Sequence, residues 1–163
     1  MRNLTMLTDL YQLTMMYGYQ KCGMRNNRAV FDMFYRNTGD VTQYAIMAGL
    51  EQLIDYIKNL KFDEDALSYL SSLNLFDEEF IAALRDFRFT GDIYAVPEGT
   101  IVFPGEPLIR VSAPIFEAQL IETALLNIIN HQTLIATKAS RVVQAAQGGS
   151  ILEFGLRRAQ GPD

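Results

Sequence analysis

The sequence predicts a mixed α/β chain in which helices flank a small half-barrel of β-hairpins and lead into the first elements of an α/β barrel. Three observations predict it. Between residues 9 and 86, segments of helical period are interspersed with short aromatic or apolar runs. Residues 91–114 switch to brief apolar runs broken by Pro97-Glu98-Gly99 and Pro104-Gly105-Glu106-Pro107, the chemistry of tight turns. Residues 115–147 are then the most helical stretch, and Gly148-Gly149 separates them from a new strand-like run at 150–154. A helix followed by a buried strand is the order in which a parallel barrel begins. These shifts divide the chain into 1–114, 115–147 and 148–163.

Each element has a local reason. Asp9 with Gln12 three residues later has the form of a capping box, ahead of an apolar periodicity at Leu10, Leu13, Met16 and Tyr17. That pattern predicts a helix over 9–21, stopped near Gly23. Residues 30–36 read as an extended strand, with Asp32 and Arg36 on the same face as Val30 and Phe34. A short strand is expected at 44–47, then Gly49 and a helix whose Leu50, Leu53, Ile54 and Ile57 share one face. Helices at 63–72 and 77–86 each start at an aspartate with further acids in the first turn, which suits solvated caps rather than ligands. Strands follow at 92–96, 101–103 and 108–111, and their prolines restrict them to edges or strand starts. Hairpins of this texture suit a carrier domain with a modified lysine at a hairpin tip. Lys21, Lys58, Lys61 and Lys138 all lie elsewhere, so that reading fails.

Over 115–147, Ile115, Phe116, Leu120, Ile121, Ala124, Leu125, Ile128 and Ile129 make an apolar face too broad for a surface helix. The opposite line runs through Thr123, Asn127, Asn130, Thr137 or Lys138, and Arg141, interrupted by Leu134. Buried polar groups without partners cost about 1–3 kcal/mol each, so this line needs partners. A helix–helix hydrogen-bond network and the wall of a ligand cavity or subunit interface both satisfy that need.

Composition excludes several classes. A formal charge of −5 argues against nucleic-acid binding through a general basic surface and against a polybasic membrane anchor. One cysteine, Cys22, and one histidine, His131, exclude an intrachain disulfide and a Cys/His zinc cage. No apolar run approaches the ~18–20 residues of a membrane span, and Asp9 stands where a signal peptide is apolar. The expectation is a soluble, cytoplasmic protein.

Few residues are placed for chemistry. His131 has no carboxylate near it in sequence and reads as structural or interfacial, and Cys22 has no second thiol or base beside it. Neither a P-loop nor a G-x-G-x-x-G pattern is present. Two segments stand out instead. In Leu7-Thr8-Asp9-Leu10-Tyr11-Gln12-Leu13-Thr14-Met15, the Tyr11 ring points away from the apolar face and lies beside Asp9 and Thr8, free to stack on something planar. In Glu153-Phe154-Gly155-Leu156-Arg157-Arg158, a strand end delivers a phenylalanine and two guanidiniums, which suit carboxylates and phosphates. The plain alternative makes Tyr11 and Phe154 peripheral core and the arginines solvated.

At these two segments the chain resembles the N-terminal part of the nicotinate phosphoribosyltransferases. The resemblance extends through residues 89–99 (Phe-Thr-Gly-Asp-Ile-Tyr-Ala-Val-Pro-Glu-Gly), 122–130 (Glu-Thr-Ala-Leu-Leu-Asn-Ile-Ile-Asn), 135–139 (Ile-Ala-Thr-Lys-Ala) and 153–163. It implies a type II phosphoribosyltransferase fold, with an N-terminal α/β sandwich and then an irregular α/β barrel that holds the active site. It also implies a homodimer with shared sites, in which Tyr11 of one subunit and Phe154 of the other stack on the pyridine ring. Asp9 would lie beside the ring, Arg157 would bind the nicotinate carboxylate or a ribose-linked phosphate, and Arg158 is a further candidate for that anion. The implied substrates are nicotinate, phosphoribosyl pyrophosphate and ATP, with Mg²⁺. His131 does not match the family's catalytic histidine, which belongs beyond residue 163. Two functional readings follow: part of an active nicotinate phosphoribosyltransferase, or a free-standing dimerisation or pyridine-binding module without catalysis.

Overall fold

One long helix organises the rest of the chain. In chain order the computed structural model has α1 (Leu10–Lys21), β1 (Arg28–Phe34), β2 (Ala45–Ile46), α2 (Leu50–Asn59), α3 (Glu64–Ser72), α4 (Glu78–Arg85), β3 (Asp92–Ala95), β4 (Ile101–Val102), β5 (Pro107–Pro114), α5 (Ile115–Ala145) and a 3-10 turn, Leu156–Arg158. It describes residues 3–36 and 44–159. The chain passes from β5 into α5 at Pro114, which ends the ladder and caps the helix in one residue. Of the predicted apolar face Phe116, Leu120, Ile121, Ala124, Leu125, Ile128 and Ile129 are buried and Ile115 is partly exposed, while Ala118 is buried beside them. The elements α1, α2, β1, β2 and β5 all pack on this helix.

The strands form two small antiparallel sheets, one ordered β1-β5-β3 and one pairing β2 with β4. The hairpin region predicted over 91–114 therefore divides its strands between both sheets. In the larger sheet Phe31 pairs with Val111 and Met33 with Ile109, and Met33, Ile109, Val111 and Ala113 are buried. The alternate face holds the ion pairs. Arg110 donates to both oxygens of Asp32 at 2.7 and 2.9 Å, and Arg28 donates to Asp92 at 2.7 Å. Val30 and Phe34 share that outer face with Asp32 and are exposed, and on the opposite face Met33 is buried while Phe31 remains 36% exposed.

An aromatic series joins the helices to the core. Tyr17, Phe80, Phe116, Phe87 and Phe62 follow one another with ring centroids 5.3, 5.9, 6.3 and 6.4 Å apart. Asp63 and Asp77 cap α3 and α4 as predicted, accepting from the N–H groups of Ala66 at 2.9 Å and Phe80 at 3.0 Å.

Three expectations are corrected. The buried residues of α1 are Gln12, Leu13 and Met16, and Leu10 is 52% exposed. The inner face is rotated toward Gln12 because its amide finds partners inside. On α2 the buried residues are Leu53 and Tyr56, and Ile54 is exposed. The strand predicted at 150–154 is not formed: those residues are irregular, and Leu152 and Phe154 are largely exposed. A strand exists only through its ladder, and no described strand pairs with this segment.

Two predictions follow from this packing. A methyl group at Gly91 would stand 2.3 Å from the Ala113 Cβ and 2.9 Å from the Ser112 carbonyl oxygen. Gly91→Ala is therefore expected to destabilise the fold by about 1–3 kcal/mol in urea unfolding, the usual penalty of overpacking. The second concerns pH. The Ala66 N–H, then the Asn3 amide, hold the Asp63 carboxyl below its ordinary value. Asp77 is held low by the Lys21 ammonium first, then the Phe80 N–H. Carboxyls depressed in the folded state contribute stability that is complete above their unfolded pKa and is lost as pH falls through the folded one. Urea midpoints should therefore drop between about pH 5 and about pH 3, and Asp77→Asn, which keeps a cap acceptor, should show a shallower drop. Identical slopes in the two proteins would contradict this.

Candidate functional site

The start of α1 is fastened to α5 by one buried side chain. Gln12 is 0% exposed, so every polar atom of its amide must be satisfied within the protein. Its Oε1 accepts from the Thr8 and Thr123 hydroxyls and from the Asp9 N–H at 3.2 Å, the last being the predicted capping box. Its Nε2 donates to the Gln119 carbonyl and to Glu122 Oε2, both at 3.1 Å. The same Glu122 oxygen accepts from Gln119 Nε2 at 3.0 Å, and the Thr123 hydroxyl lies 3.1 Å from Asp9 Oδ2.

Tyr11 sits on this fastened turn, half exposed and outside the core as predicted. Its phenol is held above its ordinary value, first by burial and then by the negative charges of Glu122 and Asp9. At neutral pH the ring is a neutral, polarisable plane with carboxylates beside it.

The second predicted group lies on the segment after α5. Phe154 is 81% exposed. Arg157 and Arg158 are exposed on the 3-10 turn, whose entry is shaped by the Glu153 carboxylate accepting from the Gly155 N–H. Asp9 and Tyr11 are thus brought together, as are Phe154, Arg157 and Arg158. Among the described residues no hydrogen bond, ion pair or ring contact joins the two groups.

The polar line of α5 resolves into distinct pairings. Thr123 binds α1, and Thr137 Oγ1 accepts from the Ile46 N–H at 2.9 Å. Thr133, which the sequence reading passed over, accepts from the Ala48 N–H at 3.3 Å. Asn127, Asn130 and Lys138 are exposed. Arg141 lies with its guanidinium 5.5 Å from the Tyr44 ring centre. Gln119 and Glu122 were also missed as functional residues, although their spacing of three places them on the helix face that carries Thr123. His131 is half-buried on α5, and Cys22 is exposed at the end of α1. A cavity of about 410 Å³ between β1 and α5 is lined by Val30, Phe34, Ile121, Glu122 and Leu125 among others. Tyr11 and Phe154 do not line it.

Comparison with known proteins decides the family. The model of the nicotinate phosphoribosyltransferase (NAPRTase) N-terminal domain matches residues 6–130. The chain belongs to the nicotinate phosphoribosyltransferase family. It is 48% identical over 161 residues to the Bacillus subtilis nicotinate phosphoribosyltransferase, covering 99% of this chain and 33% of that protein. It is 45% identical over 158 residues to a Mycobacterium tuberculosis nicotinate phosphoribosyltransferase, covering 97% of this chain and 34% of the other. The crystal structure of human nicotinic acid phosphoribosyltransferase superposes with a TM-score of 0.86 at 37% identity, over 96% of this chain and 32% of that one. A Pyrococcus furiosus nicotinate-nucleotide pyrophosphorylase shares the fold, with a TM-score of 0.72 at 22% identity over 98% of this chain and 33% of its own. The chain spans about a third of the length of these relatives.

The family's implied Mg²⁺ finds no ligand set here: among the described residues no three His, Cys, Asp or Glu side chains converge as metal ligands. No helix among the described residues is long and apolar enough to cross a membrane.

Proposed function

We propose that this chain forms the N-terminal third of a nicotinate phosphoribosyltransferase, a cytoplasmic homodimer of NAD biosynthesis. The whole enzyme joins nicotinate to 5-phosphoribosyl 1-pyrophosphate, giving nicotinate mononucleotide and pyrophosphate, with ATP hydrolysis driving the synthesis. In this reading residues 1–114 belong to the α/β sandwich and residues 148–163 enter the irregular barrel. The observation that carries the proposal is Tyr11, an aromatic ring kept out of the core on a turn that is itself rigidly fastened, in a chain of this family.

The chemistry accounts for the residue types. The pyridine nitrogen attacks the ribose C1 as the bond from C1 to the pyrophosphate oxygen breaks, through a state with oxocarbenium character. A flat, weak nucleophile gains most from being held in line. Tyr11 and Phe154, from two subunits, would hold the ring on its two faces. Arg157 would fix the carboxylate through its planar fork, with Arg158 as a second anion contact, and Asp9 would border the ring. An arginine on a carboxylate whose charge is the same in substrate and transition state contributes binding and in-line orientation rather than a lower intrinsic barrier.

In the whole enzyme, Tyr11→Ala is expected to raise the nicotinate KM by an amount equivalent to about 1–3 kcal/mol, the worth of one aromatic stacking contact. An unchanged KM in pyridine-dependent pyrophosphate release would remove Tyr11 from the site. Arg157→Lys should lose most of its activity toward nicotinate, because an ammonium cannot reproduce a two-pronged contact with a carboxylate. Wild-type kinetics in that variant would refute the assignment.

A further inference from the structure

We infer that Glu122 is a positioning residue for Tyr11, locking the start of α1 onto α5 through the buried Gln12 amide. The inference rests on the proposal that Tyr11 contacts the pyridine. A ring that grips a flat ligand needs a fixed backbone beneath it, since small displacements of a contact surface cost affinity steeply. The turn that carries Tyr11 is seated on the core by Leu13 and, one turn on, by Met16, but Leu10, Thr14 and Met15 are exposed, so apolar packing holds only its inner edge. The anchor next to Tyr11 itself is polar. Gln12 is buried beside Tyr11, and both ends of its amide are tied down.

Glu122 is the end-point of that arrangement. Its Oε2 is the one charged acceptor that both Gln12 and Gln119 reach, at 3.1 and 3.0 Å. With Gln12 Nε2 held there, Oε1 is aimed back at Thr8, Asp9 and Thr123, which sets the orientation of the whole first turn. Without the carboxylate, a buried amide loses an ionic partner and gains the freedom to turn over. Charge-assisted bonds are about twice as strong as neutral ones, so this end of the amide dominates its orientation. Glu122 also stands among the charges that bear on the phenol, after burial and ahead of Asp9. It therefore touches Tyr11 by two routes, mechanical and electrostatic. It needs no contact with substrate for either.

The test separates these routes in the whole enzyme. Glu122→Ala removes the acceptor, and Glu122→Gln removes the charge while leaving an oxygen for Gln12 and Gln119. Glu122→Ala is expected to raise the nicotinate KM about tenfold or more, the scale of one hydrogen bond to a charged group, with kcat and the phosphoribosyl pyrophosphate KM within about twofold. Glu122→Gln should recover most of that loss. Carbon-13 NMR of labelled tyrosine rings should show the Tyr11 phenol titrating at lower pH in both variants, because a neighbouring negative charge is gone. If Glu122→Ala does not fold, Thr123→Val serves instead, since it removes the hydroxyl between Asp9 and Gln12. It should raise the nicotinate KM in the same selective way. A raised KM in Tyr11→Ala, together with unchanged nicotinate KM in the folded Glu122 or Thr123 variant, overturns the positioning role alone. An unchanged KM in Tyr11→Ala itself overturns the underlying site, whatever the Glu122 variants do.

Discussion

A helix that is apolar around most of its circumference can exist in water only if other elements enclose it, and α5 sets that requirement for the whole chain. At 31 residues it is ~46 Å long, and its N-terminal half is buried from Phe116 to Ile129. Four shorter helices and two thin sheets are too small to hold a core among themselves, yet α1, α2 and both sheets each have a face that packs on α5. The larger sheet contributes Met33, Ile109 and Val111, and the helical side contributes Leu13, Met16 and the aromatic series that passes through Phe116. The enclosure fades along the helix. Leu134, Ile135, Val142 and Val143 are exposed, and from that point α5 is held mainly by hydrogen bonds to β2 and Tyr44.

Those hydrogen bonds show how a buried helix accommodates polar side chains. β2 has only two residues and one partner strand, which leaves backbone groups on its other side in need of partners. The hydroxyl of Thr137 serves Ile46 of β2 and that of Thr133 serves Ala48 just beyond it, and each also donates to a carbonyl, Thr133 to Ala48 and Thr137 to Thr133. At the other end of α5, Glu122 and Thr123 do the equivalent for α1. The polar line on α5 is thus neither decoration nor a continuous cavity wall. It is a row of fasteners that places two neighbouring elements in register with the core helix.

Much of this was legible in the sequence, and what escaped has a common cause. The caps at Asp9, Asp63 and Asp77, the turn at the end of the hairpin region and the apolar face of α5 are encoded locally, by residues within a few positions of one another. The rotated face of α1 was not, because Gln12 is inside only by virtue of Glu122 and Gln119, more than a hundred residues away in sequence. Arg110 as the partner of Asp32 was hidden for the same reason, its register being set by the pairing of β1 with β5. The strand expected at 150–154 failed in the opposite direction. Its pattern is a good strand pattern, but a pattern supplies a face and not a neighbour. Of the site, Tyr11 and Asp9 could be read as a unit from spacing alone, and Phe154 with Arg157 as another. Their relation to each other is not a local property of either segment.

The two groups also differ in how they are held, and this bears on what each can contribute to recognition. Tyr11 is borne on a turn whose hydrogen bonds are buried and charge-assisted, so little entropy remains to be lost when a ring stacks on it. Phe154 and the two arginines sit on an exposed segment whose hydrogen bonds are all short-range, at Gly155, Arg158 and Ala159, the signature of low local stability. A ligand gripped between two such surfaces gains its geometric precision from the stiff one. The pliant one must be ordered by whatever packs around it, and its contribution to affinity is reduced by the cost of that ordering. In the proposed site, ring recognition would therefore be weighted toward the α1 side, where position is fixed by the fold. In that proposal anion recognition would fall to long guanidinium side chains, which tolerate an approximate backbone because their own planar fork restores the geometry.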